Sequence, residues 1–212
     1  MSWQWSVAVL AGASCSGFTV PSLTDRGLRQ LGQSESSTHV LRIVGAVVGV
    51  LVGAATTLAA LRVGNLLLAV PLVAWGVSVV AASCCDAVTQ RIPTALVRQA
   101  IVVTGVLLTC ALSLSGDWES VLVSVVAAAA AGGVALLCWR FADAGYGDAR
   151  LAVLGGLGLG HTSASSLVMA LTVIVLITAA QVVTTFAVGG NRRTRFPMGP
   201  ALAAGFVVAA TA

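Results

Sequence analysis

The chain contains no lysine, and charged residues of every kind make up only 8% of its 212 positions. A soluble domain carries about 25%. That scarcity, together with 58% hydrophobic residues and a mean hydropathy of +1.01, excludes a water-soluble globular fold. The net charge of +4 rests on arginine alone. These arginines lie in short segments between apolar runs and not on one polar face, so they report membrane topology rather than nucleic-acid binding. Histidine is limited to His39 and His161, which fall in segments expected on opposite sides of the membrane, so they cannot share a metal. The five cysteines (Cys15, Cys84, Cys85, Cys110 and Cys138) form no CxxC pair and are odd in number. That argues against a disulfide framework or a zinc site, and four of them lie in apolar segments as small packing residues. The N-terminus lacks the basic stretch of a signal peptide, so the first apolar segment is expected to remain as a membrane helix.

What is present is a series of apolar runs of about 20 residues, each long enough to cross a bilayer. The expected fold is all-α: a polytopic membrane protein of about eight transmembrane helices forming one domain over residues 1–212. The expected spans are 5–20, 39–61, 65–85, 94–114, 120–141, 148–160, 163–188 and 200 to the C-terminus. The sixth is too short for a full crossing at 1.5 Å per residue. Its Gly-rich run, Leu151 to Gly160, suits a helix packed closely inside the protein. Ten of the eleven arginines fall in the odd-numbered loops or at their edges: Arg26, Arg29, Arg42, Arg91, Arg98, Arg140, Arg150, Arg192, Arg193 and Arg195. The even loops hold only Arg62, together with Asp117 and Glu119. The positive-inside rule then puts the odd loops in the cytoplasm and both chain ends outside.

Only seven residues are acidic. Two of them, Asp86 and Asp148, fall at helix ends on the same, cytoplasmic side. A carboxylate inside a membrane helix costs about 2.5–3.5 kcal/mol on insertion scales, which marks it as a candidate functional group. Two carboxylates from different helices can share one proton, because like charges a few ångströms apart cannot both ionise. The charged member then takes a proton from water, and the protonated member polarises a carbonyl and later serves a leaving amine. Gly145 and Gly147 flank Asp148 without a Cβ, which permits unusual backbone angles and close approach. Asp148 is also placed to cap the sixth helix. Pro93 restricts Ile92 to extended geometry, so the chain leaves the helix after Asp86. Asp143, five residues before Asp148, lacks the flanking glycines and is the weaker candidate. Tyr146 is a candidate for lining a substrate groove.

Asp86-x-x-Thr89-x-x-Ile92-Pro93 resembles the first motif of the prepilin peptidases, the type IV leader peptidases. Gly145-Tyr146-Gly147-Asp148-Ala149-Arg150-Leu151 resembles their GxGD motif. Phe196-Pro197-Met198-Gly199-Pro200-Ala201-Leu202 resembles the Pro-Phe-Gly-Pro-x-Leu segment that opens the last helix of that family. The resemblance covers about residues 66–206. It implies an intramembrane aspartic endopeptidase of a bacterial cytoplasmic membrane, with Asp86 and Asp148 as the catalytic pair. It further implies no metal or cofactor in the proteolysis, and pilin-like or pseudopilin precursors of a type IV pilus or type II secretion system as partners within the lipid bilayer. Thr89, Ile92, Pro93, Gly145, Tyr146, Gly147 and Arg150 are the expected motif and substrate-positioning residues. Arg150 replaces the usual Lys, and Met198 replaces the usual Phe. Many bacterial members carry a zinc-binding insertion after the first span, linked to N-methylation. Here that stretch is expected to be a short, cysteine-free loop over residues 21–38, so the methyltransferase portion is expected to be absent. The competing readings are a small proton- or cation-coupled transporter and an inactive assembly factor.

Overall fold

The computed structural model describes residues 3–32, 38–142, 145–160, 162–187 and 197–212. The chain forms α1 (Trp3–Gln30), α2 (Thr38–Arg62), a 3-10 turn (Leu66–Leu68), α3 (Ala69–Thr89), α4 (Thr94–Leu114), α5 (Trp118–Ala142), α6 (Tyr146–Leu157), α7 (Ala164–Ala187) and α8 (Gly199–Thr211). Among the described residues there is no strand, and six helices are long and apolar enough to cross a membrane. This is the make-up of a multi-pass membrane protein. α6 has 12 residues and α8 has 13, so each reaches only about 18–20 Å, short of the ~30 Å hydrocarbon core.

The first boundary differs from the sequence expectation. The helix does not stop at Val20 but runs through Pro21 to Gln30, so most of the expected 21–38 loop is helical. Proline removes one backbone hydrogen bond, and packed membrane helices accommodate that loss where a soluble helix breaks. Arg26 and Arg29 therefore sit on α1. Beyond Pro21, Asp25 of α1 pairs with Arg42 of α2, whose two guanidinium nitrogens lie 2.8 and 3.0 Å from one carboxylate oxygen.

α1 and α2 form a tight antiparallel hairpin. Gly45, Gly49 and Gly53 repeat every four residues and present one small face of α2 to Ser16 and Val20 of α1. In lipid, where apolar burial gives no gain, such small faces allow the backbone contact that holds helices together. A side chain at Gly49 would begin 2.6 Å from the Ser16 carbonyl oxygen. Gly49→Leu is therefore expected to lower stability by about 1–3 kcal/mol, read as earlier thermal unfolding in detergent.

α6 is the interior helix that its composition foretold. Leu151 and Leu154 are fully buried, in one core with Trp75, Val79 and Val97. Its glycines let neighbours come close: Gly155 faces the Phe206 ring of α8, Gly156 the Ala128 backbone of α5, and Gly158 the Trp75 ring of α3. Gly160, just beyond the helix, lies against Ser120 and Ser124 near the start of α5. The 146–160 segment thus runs the length of the bundle despite its short helix. The buried Trp75 indole donates to the Leu154 carbonyl at 2.7 Å, satisfying a group that the helix end leaves free. At the end of the bundle away from Asp86, Arg62 donates to the Thr211 carbonyl at 3.1 Å and ties α2 to the end of α8.

Candidate active site

Asp86 occupies the last turn of α3 and is only 5% exposed. The helix extends past it to Thr89, so Asp86 is a helical residue and not part of the following loop. The Gly199 N–H donates to Asp86 Oδ2 at 2.8 Å. Gly199 is the first residue of α8, where N–H groups have no partner within the helix and the helix dipole is positive. Pro200 follows at a position that needs no N–H. A Cβ on Gly199 would lie 2.9 Å from Asp86 Oδ2 and 3.0 Å from its Cβ, so this approach needs glycine. The Ser83 hydroxyl, one turn before Asp86, lies 3.0 Å from the Gly199 carbonyl and 2.8 Å from that of Val79. It fastens α3 to the start of α8.

The turn after Asp86 is wired by Thr89. Its hydroxyl donates to the Cys85 carbonyl at 2.8 Å, with the Arg91 carbonyl at 3.0 Å as the other acceptor, and it accepts the Arg91 N–H at 3.2 Å. Gln90 closes the helix in the left-handed region, with φ of 52° and its N–H on the Asp86 carbonyl at 2.8 Å. Pro93 is buried and caps α4 in extended geometry, as the sequence requires. Its ring faces Gly27 of α1, where a Cβ would meet it at 3.0 Å. Ile92 packs on Gly147, where a Cβ would come within 3.0 Å of the isoleucine Cβ. That contact places the start of α6 against the α3–α4 link.

Asp148 is half-buried at the third position of α6, and its Oδ2 accepts the N–H of Gly145 at 3.1 Å. Gly145, not Asp148, is the cap residue, and the carboxylate reaches back to it. Gly145 has φ of −70°, and neither it nor Gly147 adopts positive φ. The glycines therefore serve close approach, to Asp148 and to Ile92, and not an unusual backbone. Burial raises the Asp148 carboxyl to about 6, the Asp86 charge adds to the rise, and the Gly145 N–H opposes it. The Asp86 charge is thus felt at Asp148.

Tyr146 is 47% exposed, with Arg150 stacked over its ring at 4.7 Å and the edge of Trp139 at 5.4 Å. The three side chains form one aromatic–cation surface beside Asp148. Asp143, Arg192, Arg193, Arg195 and Phe196 lie outside the described residues. The site residues missing from the sequence expectation are Gly199 and Ser83. The Gly-Pro start of α8 was visible, but a backbone donor carries no side-chain signal of what it will bind.

No family model, no curated protein and no solved structure matches the chain.

Proposed function

We propose that this chain is an intramembrane aspartic endopeptidase that removes the leader from pilin-like precursors at the cytoplasmic membrane face. The observation that carries the reading is the pair itself: Asp86 and Asp148, on the ends of α3 and α6 that meet through Ile92 and Gly147, each held by one backbone N–H at the start of a helix. In this reading the chain passes the bacterial cytoplasmic membrane eight times with both ends outside, and the pair lies where an apolar substrate helix meets water.

In this reading the pair shares one proton and titrates as a unit, and we place that proton on Asp148, whose carboxyl burial raises to about 6. Asp86 takes a proton from water as its oxygen attacks the scissile carbonyl, and Asp148 delivers its own proton to the carbonyl oxygen. The tetrahedral intermediate then collapses, the C–N bond breaks, and the amine leaves with a proton returned through the pair. Ile92, Gly147 and Thr89 hold the two helix ends in register, and Tyr146 with Arg150 lines the aqueous edge.

A pH profile tests the shared proton. Asp148 is raised above its usual value, so it stays protonated at pH values where an ordinary carboxylate is ionised. Cleavage of a precursor in detergent is expected to fall as pH rises through about 6, when that proton is lost. A rate that rises through the same range would require both carboxylates ionised and would contradict the division of roles.

A further inference from the structure

A second feature stands apart from the two aspartates. An apolar groove of about 580 Å³ runs between α1, α3 and α4. It reaches from Ala8 and Thr57 at one end to Arg26 and Gln99 at the other. Arg26 adjoins Gly27, whose neighbours are Cys85 and Pro93, so this is the Asp86 end of the bundle. Ala8 to Arg26 spans about 27 Å of helix. Between its two ends the walls are apolar except for Thr19 and Ser78. Such walls suit an extended hydrocarbon chain, which brings no polar group to be left unsatisfied.

The charge at the groove's end identifies the rest of the ligand. Arg26 is exposed, and among the described residues it has no carboxylate partner, since Asp25 is taken by Arg42. A cation at the membrane boundary, above an apolar channel, attracts an anionic headgroup. We infer that this groove holds one acyl chain of an anionic phospholipid from the leaflet on the Asp86 side, with the lipid phosphate on Arg26. The chain lies against Leu23, Thr19 and Val77, and Gln99 sits beside the headgroup. The bound lipid fills the seam between α1 and α4, two helices that otherwise meet mainly through α3.

Native mass spectrometry tests this. The full-length protein is released from nanodiscs containing equal parts phosphatidylcholine and phosphatidylglycerol. One phosphatidylglycerol per chain is expected to be retained. Arg26→Gln lowers that retention about five-fold, whereas Arg140→Gln, at the end of α5, leaves it unchanged. Thr19→Trp, at a half-buried position lining the groove, displaces the lipid by filling its place. A phosphatidylglycerol carrying a diazirine in one acyl chain is expected to label α1, α3 and α4. Retention unaffected by both Arg26→Gln and Thr19→Trp would overturn the inference, as would labelling confined to α5 and α7. So would a precursor's apolar helix that cross-links to Cys15 and expels the lipid, which would make the groove a substrate site.

Discussion

Asp148→Asn is expected to abolish release of the leader from a co-expressed pilin-like precursor, and Asp86→Asn to do the same. In the proposed mechanism each removes one of two groups that exchange protons with the reacting atoms, and a positioned acid or base contributes about 10²–10⁴-fold. Because the pair acts as a unit, losing either member is expected to cost nearly as much as losing both. Asp143→Asn is expected to leave processing intact. Stability separates lost chemistry from lost fold. The Asp148 carboxyl is raised to about 6, so above that pH the folded protein bears the cost of a partly buried charge. Asparagine removes that charge at equal size, and Asp148→Asn is therefore expected to melt no earlier than the wild type at neutral pH. Precursor and mature forms are resolved by mass on a gel, and unfolding is followed in detergent.

The second large effect is expected at a residue with no side chain. Gly199→Ala places a methyl group within 2.9–3.0 Å of Asp86 Oδ2 and Cβ. The start of α8 cannot retreat freely, because Ser83 holds the Gly199 carbonyl and Ala201 beside it is fully buried. The carboxylate must therefore move. A displacement on the scale of 1 Å at a reacting group costs about 10²-fold in rate. The loss is expected in kcat with KM little changed, and with a shifted pH profile, because Gly199 acts on Asp86 and not on the substrate. A rise in KM alone would instead mean that this glycine shapes the substrate's seat.

These two predictions differ in how far the sequence could reach them. Asp86 and Asp148 stand out in sequence because a carboxylate in an apolar run has few bland explanations. The interior position of α6 was legible too, since only small residues allow backbones as close as those of Gly156 and Ala128. The contact of Gly199 with Asp86 was not legible. It joins positions 113 residues apart through a backbone N–H, and every residue except proline has one. The end of α1 was misplaced for a related reason. The stretch from Pro21 was expected to be loop, and packing against α2, from Gly12 and Thr57 to Asp25 and Arg42, carries the helix through it. The roles of Gly145 and Gly147 were half legible: their small size was apparent, but the neighbours that need it, Asp148 and Ile92, are set by the tertiary fold.

A transporter and a peptidase would both place carboxylates in a membrane, and one reconstitution separates them. Purified protein is incorporated into liposomes that carry a pH-sensitive dye and a precursor with a short basic leader before an apolar helix, and precursor mass and internal pH are followed together. The account predicts cleavage at a single bond just before the apolar helix, no proton flux, and no cleavage with Asp148→Asn. Proton flux without cleavage, or cleavage that persists in Asp148→Asn, would contradict it.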